Sequence, residues 1–176
     1  STGRSLMVGL GGHGSLTVTN AGAVSAQDVH VGMLAGSDGL ILVSGKGSMV
    51  SATNRIEVGN AQGNGSLVLD DGAMVKAGAA IVVGPNGDVS GQGTLHATVS
   101  NLGQVMPSGV MTVSGNYTQG ATGQLHIELG PNGSDSLVIE GQAWMGGTLV
   151  VSLTNGFIPA AGQSFDIVMA KSLMRA

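Results

Sequence analysis

The sequence contains no cysteine, and its charged and aromatic residues are few. The absence of cysteine excludes disulfide bonds, thiolate nucleophiles and cysteine-based zinc sites. Six lysine and arginine residues against ten acidic residues give a formal net charge of −4, which argues against binding to nucleic acid or to anionic membranes. No apolar run approaches the ~18 residues of a membrane-spanning helix. The opening STGRSLMV lacks the pattern of a signal peptide, and we expect no membrane insertion.

Glycine and aliphatic residues dominate the sequence instead. The chain has 32 glycines in 176 residues, 42% hydrophobic residues, 9% charged residues and 2% aromatic residues. The aliphatic share argues against a disordered linker. Many small and β-branched residues with few charges are typical of stacked strands joined by tight turns.

A repeated phrase organises the first half of the chain. VGLGGHGSL at 8–16 returns as VGNAQGNGSL at 58–67. Three units, at 14–32, 39–59 and 65–84, each contain three short strand patterns, two turns and a closing Val-Gly. Period-2 alternation predicts five inward residues per unit. These residues are Leu16, Val18, Val24, Val29 and Val31, then Ile41, Val43, Val50, Ile56 and Val58, then Leu67, Leu69, Val75, Ile81 and Val83.

Units of about 23–26 residues without helical periodicity indicate a repeat architecture. We predict an all-β fold, a right-handed parallel β-helix (β-solenoid) over 1–106, whose coils bury their faces against their neighbours. Longer strand patterns and the lone Trp and Tyr follow. We therefore predict a C-terminal β capping element over 107–170 that covers the open edge, and a short tail at 171–176.

The segment MTVSGNYTQGATGQLHIELGPNGSDSLVIEGQAWMGGTLVVSL at 111–153 carries four strand-and-turn motifs. They are Met111–Tyr117, Gly123–Leu129, Asp135–Gly141 and Gly147–Leu153. The segment resembles the C-terminal end of bacterial autotransporter passenger domains and related exported β-helix proteins, and the upstream units resemble the repeats of the same proteins. The resemblance implies fold and export more than activity. The resemblance implies a location outside the cell, secreted or on the surface of a Gram-negative bacterium.

Gly9, Gly11 and Gly14 spell G-x-G-x-x-G, the spacing of a dinucleotide-binding loop. Such a loop requires a following helix whose N-terminus holds the pyrophosphate. The following SLTVTNAG is a strand pattern. The sequence therefore predicts a corner between strands and no nucleotide site.

Residues that could support metal binding or catalysis are scattered. The four histidines show no metal-ligand spacing, and no G-x-S-x-G is present. The segments 70–72 and 132–135 offer turn oxygens of the kind that calcium binds, so calcium stays open, but we expect no cofactor. His126 and Glu128 share a strand face without a second acid. We expect no enzyme activity, and a polysaccharide-active enzyme is the least favoured alternative.

Outward positions carry the remaining candidates. Aligned units place Thr17, Leu42 and Val68 in one outer ladder, a candidate self-association face. The alternative is a strand that a loop or the C-terminal element covers. His30 with Glu57, and Lys46 with Asp71, align as candidate surface ladder pairs, which typically contribute under ~1 kcal/mol.

These observations favour a non-enzymatic extracellular structural protein. We expect a rigid β-solenoid that associates with copies of itself into a fibre, sheath or surface layer. The alternative is an adhesin or passenger stalk that binds a host, cell-surface or matrix molecule.

Overall fold

The computed structural model describes residues 3–154 and 156–175 and is all-β. No helix occurs in these residues, so none long and apolar enough to cross a membrane is found among them. Their sixteen strands are β1 Leu6–Val8, β2 His13–Val18, β3 Ala23–Ala26, β4 Val29–Val31, β5 Asp38–Ser44, β6 Met49–Ala52, β7 Arg55–Val58, β8 Asn64–Val83, β9 Gly87–Asn101, β10 Gln104–Val113, β11 Tyr117–Gln119, β12 Gln124–Gly130, β13 Gly133–Ser134, β14 Ser136–Met145, β15 Thr148–Leu153 and β16 Val168–Arg175.

The strands pair in three columns. The first column contains β2, β5, β12 and β15 with the N-terminal parts of β8, β9 and β10. The second contains β3, β6, the middle of β8 and β9, the end of β10 and the starts of β14 and β16. The third contains β1, β4, β7, β11 and the ends of β8, β9, β14 and β16. Every pairing is parallel except the β12–β13 hairpin.

The core follows the predicted alternation. Leu16 pairs with Ile41 and Ile41 with Leu67, and the other four inward positions pair in the same register. All predicted inward residues are buried except Leu16 and Val24, which pack against the core while partly exposed. These two lie in β2 and β3, the first strands of their columns, which have a neighbour on one side only. The inward set is confirmed.

Glycines at the corner between the third and first columns explain the repeated phrase. Gly32 has φ +65°, a backbone conformation that other residues adopt with strain, and its N–H donates to the Val8 carbonyl at 2.9 Å. A Cβ on Gly39 would overlap that same carbonyl oxygen. The Val-Gly and Gly-x-Leu elements therefore pack backbone against backbone. The VGLGGHG stretch is the first such corner and leads into β2, as the sequence predicts.

Two amides enter the core in the third column, where the earlier strands place Val8, Val31, Val58 and Val83. Asn101 donates to the Gln124 carbonyl at 3.0 Å and accepts from Gly103 N–H at 3.0 Å. Gln119 donates to the carbonyls of Gly146 and Thr148. The Tyr117 hydroxyl lies between them, accepting from Asn101 at 3.1 Å and donating to Gln119 at 3.0 Å. Burial raises the pKa of Tyr117 far above its usual value, against a smaller lowering by the Asn101 hydrogen bond.

The C-terminal half continues the same columns where we predicted a capping element over 107–170. The strands β12, β14, β15 and β16 pair in parallel with upstream neighbours. The last strand of the first column, β15, leaves Leu149, Val151 and Leu153 about half exposed, whereas Leu125 in the adjacent strand is fully buried. These three side chains at the edge are therefore only partly covered. The tail predicted at 171–176 is corrected, because residues 171–175 extend β16 alongside the end of β14.

Candidate interaction surface

The outer face of the first column brings the predicted ladder together. Thr17 pairs with Leu42 and Leu42 with Val68 on β2, β5 and β8. Leu42 and Val68 are half-buried and Thr17 is exposed. Leu40 lies two residues before Leu42 on the same face and is 41% exposed. We call Thr17, Leu40, Leu42 and Val68 the lateral face.

The apolar part of the lateral face is short. Val68 pairs with Ser90 on β9, where the outward residue becomes polar again. Leu42 and Val68 therefore stand between Thr17 and Ser90, and Leu40 lies beside them in the neighbouring ladder, between Ser15 and Ser66. All three aliphatic side chains keep part of their surface accessible.

A groove of about 540 Å³ runs beside the lateral face across four neighbouring strands. Its floor contains the backbone of Gly14, Gly39 and Gly65, which are neighbours in register. These glycines belong to the corner described above, and a Cβ on each would point toward the backbone of a preceding Val-Gly element. Outward residues on either side of each glycine form two walls. The groove is lined by His13, Ser15, Asp38, Leu40, Asn64, Ser66 and Asp88 together with the three glycines.

Hydrogen bonds hold both walls of the groove. On one wall, Asp38 accepts from Asn64 at 2.8 Å and lies 3.0 Å from His13 Nδ1. On the other wall, Ser66 donates to Asp88 at 2.6 Å. Each bond joins residues of adjacent strands, so the polar side chains of each wall are linked to one another.

The first predicted ladder pair is present on the third column. His30 and Glu57 are neighbours in β4 and β7, and His30 Nδ1 lies 3.3 Å from Glu57 Oε2. The same oxygen accepts from Arg55 at 3.2 Å. The His30 nitrogen has no hydrogen-bond partner, so the two side chains are in contact without a hydrogen bond.

The second predicted pair does not meet. No ion pair joins Lys46 to Asp71 in the part of the chain described by the structure. The last paired residues at this point are Ser44 and Asp70. The turns that follow Ser44 and Asp70 differ in conformation, and Asp71 itself adopts φ +50°. The alignment of side chains between the two strands therefore ends at Ser44 and Asp70.

Two of the candidates for metal binding and catalysis, Asp135 and His126, are engaged in other contacts. Asp135, in the 132–135 segment, accepts from the N–H groups of Gly109 and Glu128, one on each carboxylate oxygen. His126 Nε2 lies 3.1 Å from the amide oxygen of Gln124. Among residues 3–154 and 156–175, no group of three or more His, Cys, Asp or Glu side chains is placed to hold a metal ion.

Two parts of this surface, Leu40 and the groove, were not predicted from the sequence. Leu40 has the same strand parity as Leu42, so the alternation already placed it outward. The groove had a weaker signal, a polar residue before every corner glycine in HGS, DGL and NGS and a serine after two of the three. Only the pairing register shows that these triplets are neighbours.

Three comparisons with known proteins give no match. No protein-family model matches the chain, and no curated protein and no solved structure matches it either.

Proposed function

We propose that the chain is a non-enzymatic extracellular structural protein, a right-handed parallel β-helix that associates laterally with copies of itself. The three parallel columns support the β-helix, because the chain visits them in a fixed order and returns to each in register. The resemblance of 111–153 to exported passenger domains supports a location outside the cell. The assembled form would be a fibre, sheath or surface layer.

The lateral face carries the self-association proposal. Aliphatic side chains stacked outward on neighbouring strands lose exposed apolar surface when a second copy covers them. Fully burying a leucine contributes about 1.5–3 kcal/mol. Because Leu40 is 41% exposed, its remaining burial contributes about 1 kcal/mol. Each contact is therefore weak, and we expect assembly at high protein concentration.

The acidic and histidine side chains support a structural role over a catalytic one. Glu57 contacts His30 and Arg55, and Asp135 holds two backbone N–H groups. These groups already have partners that stabilise the fold. We propose no catalytic activity and no cofactor.

The experiment compares the native chain with the double variant Leu42→Thr, Val68→Thr. Threonine already occupies this ladder at Thr17, so the variant is expected to fold. Multi-angle light scattering across a concentration series, with negative-stain electron microscopy, should show growing mass and filaments for the native chain and monomers for the variant. Val82→Thr, an outward valine on the third column, is the matched control and should assemble normally. A native chain that stays monomeric at the highest concentration contradicts the proposal, as does a double variant that assembles equally well.

The second candidate is an adhesin or stalk that binds a cell-surface or matrix molecule. The groove beside the lateral face favours it, because hydrogen-bonded polar side chains line an open channel there. Retention of the native chain on cells or matrix, lost when groove residues are replaced, would support this function.

A further inference from the structure

We propose that the groove binds an extended, neutral oligosaccharide that lies along the column axis. The inference gives a ligand class to the binding function named as second candidate. The two proposals share Leu40, but they are tested separately, because the side chains substituted below are absent from the lateral face.

The shape of the groove suits a linear chain. Four neighbouring strands contribute to it, and strands in a sheet lie ~4.8 Å apart, so three spacings give a channel of roughly 14 Å. Successive sugars of an extended chain follow one another at a similar spacing. A linear oligosaccharide can therefore present a similar set of hydroxyl groups to each strand in turn.

The walls carry hydrogen-bonding capacity beyond their internal bonds. An ionised carboxylate offers about four acceptor sites, and Asp88 uses one of its oxygens for Ser66. The Asn64 amide keeps its carbonyl oxygen after donating to Asp38. Such acceptors pair with sugar hydroxyls, and the side chain of Leu40 offers an apolar contact for ring C–H groups.

The charge and composition of the lining argue against other ligand classes. Two carboxylates line the groove with a single histidine and no lysine or arginine, so an anionic polymer would be repelled. No aromatic ring lines it, which removes the stacking that nucleobases use. A cationic peptide is attracted by the carboxylates, but Asp38 already contacts His13 and Asn64.

Isothermal titration calorimetry on the full chain tests the proposal. The neutral probes are the hexasaccharides of β-1,4-glucose, α-1,4-glucose, β-1,4-xylose and β-1,4-N-acetylglucosamine. Hexagalacturonate is the anionic probe and hexalysine the cationic probe. At least one neutral probe should bind at millimolar concentration or below, with an affinity insensitive to salt, since no charge is neutralised.

Single substitutions locate the binding. Asn64→Ala, Ser66→Ala and Asp88→Asn should each weaken binding of that probe about five- to tenfold, as expected for one lost hydrogen bond. Ser25→Ala and Asp71→Asn change the same residue types at exposed positions outside the groove and should leave affinity unchanged.

Distinct outcomes overturn the proposal. No binding of any neutral probe at millimolar concentration does so, as does binding of hexalysine alone, or binding that the three groove variants leave intact. Self-association is scored separately in light scattering. Filaments without saccharide binding would refute the groove proposal alone, and binding by a permanent monomer would refute self-association alone.

Discussion

The corner glycines give the sharpest test of the fold, through Gly39→Ala. A Cβ at this position would overlap the Val8 carbonyl oxygen and lie 2.5 Å from Gly32 N and 2.8 Å from Val31 Cγ1. Inserting a group into a packed site costs typically 1–3 kcal/mol. The backbone atoms it meets form the Gly32–Val8 hydrogen bond, and disturbing that bond adds about 1 kcal/mol. We expect a loss of about 2–4 kcal/mol in the free energy of unfolding.

Urea denaturation followed by circular dichroism measures this loss, with the m-value as a check on the unfolded state. The melting temperature should fall by roughly 4–16 °C, since each kcal/mol of destabilisation lowers it by about 2–4 °C in a chain of this size. Gly12→Ala is the matched control, because no atom lies within 4 Å of its added Cβ. It should be neutral or slightly stabilising, by up to about 1 kcal/mol. If the melting temperatures of Gly39→Ala and Gly12→Ala agree within about one degree, the close backbone packing described for the corner is contradicted.

Two further predictions concern the core. Ile81→Ala should lower the free energy of unfolding by about 2–5 kcal/mol because Ile81 is fully buried. Val82→Ala, on the outer face of the same strand, should lower it by under about 1 kcal/mol. Equal losses in urea denaturation would refute the assignment of Ile81 to the inward face. Burial raises the pKa of Tyr117 above its ordinary 10.0. Above about pH 10 the folded state therefore keeps a proton that the unfolded state releases. The free energy of unfolding should then fall as the pH rises, by up to ~1.4 kcal/mol per pH unit. Tyr117→Phe, which removes the only tyrosine, should flatten this slope, and identical slopes for the two proteins would contradict a buried, neutral phenol.

Alternation predicted the upstream core because every layer repeats the same constraint. A side chain at Ile56 is flanked by equivalent ones at Val29 and Ile81, so a phase error would move a whole row of aliphatic residues into water. The corner was predictable for a similar reason, since Val-Gly and Gly-x-Leu recur together. Both features are local in sequence and repeated in space.

The C-terminal half was harder because its turns change length. The hairpin at β12–β13 and the connection between β15 and β16 insert residues that break the sequence phase. The pairing nevertheless returns to the same columns. Asn101 and Gln119 make the core harder to predict, because polar residues in a sequence usually indicate turns. Only the structure shows that their side chains are buried and bonded to the backbone further along the chain, at Gln124 and Gly146.

The candidate surface was only partly visible in the sequence. Thr17, Leu42 and Val68 were found because strands carry alignment from one unit to the next. Lys46 and Asp71 were mispaired because turns do not carry it. The groove combines residues from four strands, and its walls depend on side-chain hydrogen bonds between adjacent units.

Along the first column, residues that the fold requires alternate with residues that determine the chemistry of the surface. Gly39 must stay small because its Cβ would meet the previous corner, while its neighbour Leu40 faces outward and corresponds to serine in the adjacent strands. A side chain at a corner glycine would point toward a preceding Val-Gly element, so the groove lies between the outward residues on either side of the glycines. Its chemistry therefore depends on flanking residues that the core does not constrain. Replacing Ser66 or Asn64 should therefore alter what the protein binds with little effect on its stability, whereas Gly65→Ala between them should destabilise it about as much as Gly39→Ala does.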